Sequence, residues 1–371
     1  MTVPKNWLLP EHIEDVLPAE ARTIERLRRA ILDLFETHGY ELVAPPLLEY
    51  VESLLSGTGR DMDLATFKLV DRLSGRMMGV RADHTPQVAR IDAHLLNRKG
   101  VARLCYCGSV LHTVPAGMTK MREPIQIGAE LYGHAGLEAD IEIVRLMVES
   151  LERAGLERIH IDIGNPAIYR ALAAHMDGDG AEALFNAVQQ KDAVAAGDLA
   201  VLTTLNGGID VIERARRELP AAVSPALDSL EHLARAVSAP GVEISVDLAE
   251  LGGFNYESGL VFAAFTPGCP DAIARGGRYD EVGASFGRAR PATGFTMDLR
   301  QLASMSPPAL GEGRREGAVL APCLEDAELQ RAIDELRKRG EIVIVDLPGH
   351  DAAELGCKRM LVKRNGRWEA T

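Results

Sequence analysis

Two polar residues four positions apart, Gln126 and Glu130, stand among mostly apolar neighbours. Side chains on a β-strand alternate between its two faces, so residues four apart on a strand share a face. A carboxamide and a carboxylate on one face can contact the same polar ligand. Gly128 between them and the apolar neighbours favour this interpretation over the alternative, a solvated strand face.

Two further clusters have suitable chemistry. Arg278 follows two glycines, and its planar guanidinium can bind a carboxylate through two hydrogen bonds. The alternative is a structural ion pair with Asp280 or Asp298. The segment from Asp83 to Thr85 is typical of a helix N-terminus, where such side chains cap backbone N–H groups. Capping and ligand contact are compatible.

Alternation and helical periodicity predict the elements that position these residues. Residues 102–112 and 123–132 are predicted strands, joined by a loop at 113–121 that is rich in Gly, Pro and Lys. Gly39 is a plausible stop for the first helix. The other predicted elements are helices at 18–38, 85–98 and 138–154, a hairpin at 66–71 and 76–81, strands at 158–163, 242–248 and 258–265, and a strand with a helix at 291–303.

The composition of the chain changes twice along its length. Residues 165–240 are Ala-rich and helical, which indicates an insertion into a sheet-based domain. Residues 304–316 have the Pro, Gly and charge content of a linker. The prediction is an α+β core at 1–303 with the insertion at about 165–240, the linker at 304–316, and a small C-terminal α/β domain at 317–371.

Composition limits the function classes. The net charge of −13 argues against broad, non-specific binding to nucleic acid. The N-terminal segment has charges throughout, so it predicts neither a signal peptide nor a membrane span, and we expect a cytoplasmic protein. The five cysteines are scattered without metal-type spacing, which predicts small buried residues rather than a metal or redox site.

Residues 103–133 resemble motif 2 of histidyl-tRNA synthetase, which consists of a strand, a loop and an antiparallel strand. Five other stretches resemble family motifs in the same order along the chain. The resemblance implies an antiparallel sheet of the class II aminoacyl-tRNA synthetase type, flanked by helices. These stretches are GYELVAPPLLEY (motif 1, a dimer-interface element), GVRADHTPQVAR (substrate pocket), GFNYESGLVF and GGRYD (histidine-specific motifs), and GFTMDLRQL (motif 3).

Three positions depart from the synthetase pattern. The motif 2 arginine that contacts the α-phosphate of ATP is His112, and the glutamate on the adenine side is Val114. The motif 3 arginine is Gln301, and Arg300 one position earlier points about 100° away on a helix. Adenylate formation depends on positive groups around a phosphoryl group in transfer. The resemblance therefore implies no catalytic residues for amino-acid activation.

The amino-acid pocket retains more of the family pattern. Asp83 and Thr85 match the residues for the substrate α-amino group, although Asp83 is one carbon shorter than the usual glutamate, and Glu257 replaces a second tyrosine. The resemblance implies a histidine-binding pocket without metal or cofactor. Its predicted residues are Asp83, Thr85, Gln126, Glu130, Tyr256, Arg278 and Tyr279.

After the linker, only about 55 residues remain, fewer than the anticodon-binding domain of the synthetases. Residues 311–371 contain 11 basic and 12 acidic side chains, so tRNA binding is not expected. These features together resemble the regulatory subunits of ATP phosphoribosyltransferase. That resemblance implies a self-dimer through motif 1, a short catalytic partner in a hetero-octamer, and histidine as the effector. The alternatives are a divergent active histidyl-tRNA synthetase and a synthetase-like module that binds another amino acid or a nucleic acid.

Overall fold

A computed structural model describes residues 8–56, 60–115, 121–174, 179–251, 258–307, 317–349 and 355–371. The chain divides into two compact units, Met1–Ser306 and Pro307–Thr371. The division lies within the predicted linker, of which residues 308–316 are outside the described part.

Within the described residues of the first unit, nine strands form one sheet in the order β1-β5-β6-β12-β11-β10-β7-β9-β8. Only the pairs β1/β5 and β7/β9 are parallel there, which agrees with the predicted antiparallel character. A separate three-stranded sheet, β2-β4-β3, contains the predicted hairpin. The strands are β1 Glu41–Leu42, β2 Leu48–Tyr50, β3 Lys68–Val70, β4 Met77–Val80, β5 Ala102–Ser109, β6 Ile125–Tyr132, β7 Ile159–Gly164, β8 Asn206–Gly207, β9 Val242–Asp247, β10 Val261–Thr266, β11 Cys269–Arg278 and β12 Ala292–Asp298.

The helices of this unit include the predicted ones, with two adjustments. The helix predicted at 85–98 is α-helical only to Arg90 and continues as a π-helix, Ile91–Leu96. In its described residues, the segment predicted as a helical insertion contains five α-helices, two short 3₁₀ helices and the short strand β8. The helices are α1 Pro18–Thr37, α2 Val51–Leu54, α3 Arg60–Ala65, α4 Thr85–Arg90, α5 Leu137–Arg153, α6 Pro166–Ala173, α7 Asp179–Gln189, α8 Ala200–Thr204, α9 Asp210–Glu218, α10 Ser224–Val237 and α11 Leu299–Met305.

Helix α1 shows how the sequence defines an element. Its apolar residues recur at helical spacing and are buried, including Leu27, Ile31 and Phe35. Pro18 fits the first turn because no intrahelical partner is needed there for its missing N–H. Gly39 follows with a φ of 79°, the left-handed conformation that ends helices, as predicted.

The two faces of the large sheet differ. On one face, Phe35 of α1 packs edge-on against Phe295 of β12, with 5.9 Å between ring centroids. The other face is covered by α4 and the 3₁₀ helix Val282–Phe286. A buried cluster lies there, consisting of Val88, Ala89, Ala102, Leu104, Tyr106, Tyr132, Tyr279, Val282 and Ala292. We call this second side the pocket face.

Strand β5 is shorter than predicted. The sequence predicts a strand to residue 112, whereas β5 ends at Ser109. Beyond it, the backbone N–H of Val110 still donates to Pro124 O. Pro124 has no N–H to donate in return, so the ladder loses a bond there. Further along, His112 forms an isolated bridge with Thr66, and its backbone N–H donates to Arg122 O at 2.8 Å.

The second unit is a small α/β structure, as predicted. Strand β13 lies between two parallel neighbours, and the last two strands form a hairpin. Leu329, Ile333, Val343 and Leu361 are buried in its own core. Its elements are β13 Val319–Pro322, α12 Ala327–Lys338, β14 Val343–Asp346, β15 Arg359–Arg364 and β16 Arg367–Ala370.

Candidate functional site

Three neighbouring strands form the floor of the candidate site. Glu130 of β6 lies opposite Gly294 of β12, and Gln126 lies opposite Asp298. Gly128, between Gln126 and Glu130, pairs with Tyr106 on the other side. Directly paired residues and residues two apart on a strand share a face. Glu130, Gln126 and Tyr106 therefore all point to the pocket face.

Glu130 is the most deeply placed acid of this floor, with 1% of its surface exposed. Tyr132 donates its hydroxyl hydrogen to Oε2, while Oε1 has no hydrogen-bond partner among the described residues. Burial raises the pKa of Glu130 to about 8; the hydrogen bond from Tyr132 opposes the rise, and the charge of Asp83 adds to it. In most molecules the Glu130 carboxyl group is therefore protonated and neutral at physiological pH, so it can donate a hydrogen bond.

Two more buried polar atoms on the pocket face lack partners among the described residues. They are the hydroxyl oxygens of Tyr279, which interacts with Glu130 and Tyr132 without good hydrogen-bond geometry, and of Thr296, which interacts with Tyr106 in the same way. Leaving a buried polar group unpaired costs about 1–3 kcal/mol, so such atoms indicate space for a ligand or water. The missing side chain of Gly294 leaves room for these side chains themselves, because a Cβ there would lie 2.7 Å from the Tyr279 hydroxyl and 2.8 Å from Glu130 Cγ.

Asp83, Thr85 and Gln126 form the second part of the site. The Asp83 carboxylate accepts a hydrogen bond of 2.8 Å from the backbone N–H of His84, and the Gln126 side chain also hydrogen-bonds to it. Burial raises the pKa of Asp83, although these hydrogen bonds oppose the rise. The structure thus brings together two acids with raised pKa values, an environment that favours a ligand with N–H groups or a positive charge.

The sequence predicts Asp83 and Thr85 as pocket residues but treats His84 between them only as part of a helix cap. His84 does occupy the N-cap position of α4, but its side chain makes no capping hydrogen bond. Instead, its ring lies within the site, where Nδ1 is 2.9 Å from Gln126 Oε1. Burial lowers the pKa of His84 to about 4, so the ring is neutral. The sequence signal was available: a bulky polar ring lies between two predicted pocket residues.

Arg278 does not join the site. It neighbours Tyr279, so the two side chains project to opposite faces, and that of Arg278 leaves the pocket face. Its Nε and Nη2 donate to Asp140 Oδ2 at 3.2 and 2.7 Å, and its Nη1 lies 3.4 Å from Asp280 Oδ1. The remaining bonds go to the carbonyls of His134 and Gly136.

The predicted contact of Arg278 with a ligand carboxylate is therefore replaced by a buried structural ion pair. The ion-pair alternative named Asp280 or Asp298; Asp280 contributes, whereas Asp298 accepts from the backbone of Ile125 and Arg300. The principal partner, Asp140 of α5, was not anticipated.

At two of the positions that bind ATP in the synthetases, the side chains contact other atoms of this protein. His112 Nε2 lies 2.9 Å from the Ala82 carbonyl, and Gln301 Nε2 donates to Cys269 Sγ at 3.3 Å. Val114 is exposed. Arg300 lies near α1, with Nε 3.9 Å from Glu20 Oε1. Tyr256 and Glu257 are outside the described residues.

The described residues contain neither a metal-ligand cluster nor a membrane-spanning helix. No group of three or more His, Cys, Asp or Glu side chains in that part of the chain could hold a metal ion. None of the helices described there is long and apolar enough to cross a membrane.

Comparisons with known proteins separate the two units. The family model described as histidyl-tRNA synthetase matches residues 12–302. The family model described as "ATP phosphoribosyltransferase subunit HisZ C-terminal domain" matches residues 316–371. A full-length relative from Ralstonia pickettii, named ATP phosphoribosyltransferase regulatory subunit, is 55% identical over 99% of this chain and 98% of its own. A protein of the same name from Methylobacillus flagellatus is 50% identical, covering 98% of both chains.

Solved structures agree on the fold. One from Bacillus halodurans, described as an ATP phosphoribosyltransferase regulatory subunit/histidyl-tRNA synthetase, has a TM-score of 0.82 at 26% identity and covers 96% of this chain and 98% of its own. Histidyl-tRNA synthetase from a Nostoc species has a TM-score of 0.75 at 18% identity, covering 97% and 91%. The predicted synthetase-like α+β fold is thereby confirmed.

Proposed function

This chain belongs to the family of ATP phosphoribosyltransferase regulatory subunits, and we propose that it activates a separate, short catalytic subunit and makes that enzyme responsive to histidine. The observation that carries the proposal is the end-to-end similarity to proteins of that name. It includes residues 316–371, which match the C-terminal domain of that subunit. The reaction concerned is the first step of histidine biosynthesis.

The ATP end of the core supports a role without catalysis of its own. An arginine can hold a phosphate through two parallel hydrogen bonds, whereas a mostly neutral histidine or a glutamine cannot. His112 and Gln301 stand at the two arginine positions, and each already contacts a protein atom. We therefore propose that the protein does not activate histidine with ATP.

The other end supports an amino-acid ligand. In the proposed complex, Asp83 and Thr85 contact the α-amino group, Gln126 contacts the ligand beside them, and Glu130 and Tyr279 face the imidazole. Glu130, neutral because its pKa is about 8, can donate to a ring nitrogen or transfer its proton and form an ion pair with an imidazolium. Regulation further requires that histidine bind two conformations of the complex with different affinities.

The decisive experiment combines the purified protein with a short ATP phosphoribosyltransferase catalytic subunit. We expect the rate of phosphoribosyl transfer to rise on mixing and to fall again when histidine is added. An unchanged rate on mixing contradicts the proposed partnership. A rate that rises but ignores histidine contradicts only the effector assignment.

A second experiment separates the proposal from an active divergent synthetase. Histidine-dependent exchange of pyrophosphate into ATP is the signature of amino-acid activation. We expect none above background, and exchange at a rate typical of synthetases would instead support the enzyme alternative. Titration calorimetry with other amino acids tests the third possibility, a module with a different ligand.

The assembly is part of the proposal. Residues 39–50 correspond to motif 1, and Leu42, Leu47 and Leu48 in this stretch are exposed in the single chain. We propose that this stretch forms a self-dimer and that dimers assemble with the catalytic subunit into a hetero-octamer in the cytoplasm. Light scattering after size-exclusion chromatography, alone and with the partner, measures both stoichiometries.

A further inference from the structure

The imidazole of His84 lies inside the proposed amino-acid pocket and is almost fully enclosed, with 1% of the residue exposed. Its ring stacks on that of Tyr106, with centroids 4.5 Å apart and planes 9° from parallel. The Gln126 oxygen can only accept hydrogen bonds, so Nδ1 of His84 carries the hydrogen of their 2.9 Å contact. The backbone N–H of His84 points to the same oxygen at 3.3 Å.

The register of the sheet places this ring in the path of a ligand. Tyr106 pairs with Gly128, at the level between Gln126 and Glu130. A Cβ at Gly128 would lie 2.5 Å from the Tyr106 hydroxyl, so the Tyr106 ring fills the space that the glycine leaves. A ligand that contacts both Gln126 and Glu130 must therefore pass over the Tyr106 ring, one face of which His84 covers.

The site also accommodates His84 specifically. A Cβ at Gly108, the partner of Gln126, would lie 3.2 Å from His84 Nε2 and 2.6 Å from Arg81 Nη2. The absence of a side chain at Gly108 thus leaves room for both groups. Arg81 is itself fixed by hydrogen bonds to the carbonyls of Ser109 and Pro45.

We propose that His84 is an internal occupant of the pocket, whose imidazole must leave Gln126 and Tyr106 before an amino acid can span from Gln126 to Glu130. This inference rests on the proposed histidine pocket and adds a gating residue to it. The unliganded protein satisfies the Gln126 carboxamide with its own imidazole. An incoming ligand then competes with the His84 imidazole, which belongs to the chain itself and is therefore present at a high local concentration.

The test measures histidine affinity by titration calorimetry for the wild type and for His84→Ala. Without the occupant, the ligand no longer has to break one ring stack and one hydrogen bond, so we expect His84→Ala to bind about ten-fold more tightly, the equivalent of about 1.4 kcal/mol. His38→Ala is the matched control. His38 lies outside the pocket, where its Nε2 is 3.1 Å from Glu149 Oε2, so its removal should leave histidine affinity unchanged.

A second measurement needs no variant. In ¹⁵N-labelled wild-type protein titrated with unlabelled histidine, the ring signals of His84 should move to those of a solvent-exposed imidazole. Its pKa should rise from about 4 toward the ordinary 6.5. Ring signals and a pKa that stay unchanged at saturation overturn the proposal, even if His84→Ala fails to fold.

The outcomes distinguish the two levels of inference. Equal or weaker binding by His84→Ala, with wild-type binding intact, overturns the gating role and shows that His84 only positions Gln126. No binding by either protein contradicts the proposed histidine pocket itself.

Discussion

The two ends of the synthetase-like core, around Glu130 and at the positions that match the ATP-binding arginines, differ in how their polar side chains are bonded. At the Glu130 end, buried oxygens of Glu130, Tyr279 and Thr296 lack hydrogen-bond partners among the described residues. At the other end, His112 and Gln301 are bonded to protein atoms. An unpaired buried group is a cost that a ligand can remove, whereas a paired one offers a ligand little. This difference supports the proposal of an amino-acid-binding site without phosphate chemistry of its own.

The largest effect is expected for Arg278, and it tests whether this residue belongs to the pocket. Replacing Arg278 by Ala leaves Asp140 buried at 2% exposure without its partner, so we expect the free energy of unfolding to fall by about 3–5 kcal/mol in denaturant titrations. Histidine affinity should be unchanged at temperatures where the variant is folded. A marked loss of affinity with little loss of stability would return Arg278 to the ligand site.

Glu130 defines the binding end. Glu130→Ala removes the acid that faces the predicted imidazole, and we expect histidine affinity to fall about 100-fold, the equivalent of about 2.7 kcal/mol, in calorimetry. The control is Gln301→Ala at the opposite end, for which affinity should stay within about two-fold. Equal losses in both variants would remove the distinction between the two ends.

The protonation of Glu130 predicts a pH dependence of stability. Its pKa is raised from 4.5 in the unfolded chain to about 8, so between these values the folded protein retains a proton that the unfolded chain has released. The free energy of unfolding therefore falls as pH rises through this window. Glu130→Gln should match the wild type near pH 5 and exceed it by about 2–4 kcal/mol near pH 8.5.

The control for this pH profile is Glu243→Gln, because the side chain of Glu243 is 80% exposed and its removal should leave the wild-type slope intact. Parallel profiles for wild type and Glu130→Gln would contradict a buried, neutral Glu130.

The smallest effect is expected at the ATP end. Restoring an arginine by Gln301→Arg changes a half-buried side chain, and we expect a change in stability below about 1 kcal/mol and no pyrophosphate exchange. A single arginine lacks the motif 2 partner that His112 replaces. Pyrophosphate exchange by this variant would show that the ATP end can still support amino-acid activation, despite its present contacts.

Much of the fold follows from local rules. Alternation on β6 predicts that Gln126 and Glu130 share a face, and the register confirms that they do. The same rule, applied to Arg278 and Tyr279, allows only one of them to reach that face. The sequence prediction includes both residues in the pocket because both match a family motif. In the structure, Arg278 projects to the other face and pairs with Asp140.

Other features depended on three-dimensional packing. The end of β5 at Ser109 reflects the missing N–H of Pro124 on the paired strand, which only the pairing register reveals. The burial of the His84 ring depends on Tyr106 and on the glycines at 108 and 128, which come from different strands. The place of His84 between two predicted pocket residues is a sequence signal, but only the packing shows that its ring enters the site and does not cap α4.

The glycine floor of the pocket constrains how this protein can diverge. A Cβ at Gly128 would lie 2.4 Å from the Phe295 carbonyl oxygen, and one at Gly294 would lie 2.8 Å from that of Ala129. Backbone atoms cannot turn aside as side chains do, so every alternative residue meets the same obstacle at both positions. In a library of random substitutions, these two codons should tolerate almost no change even without selection for regulation. A change of ligand specificity must then come from substitutions of the side chains that line the pocket, and His84 is the first candidate among them.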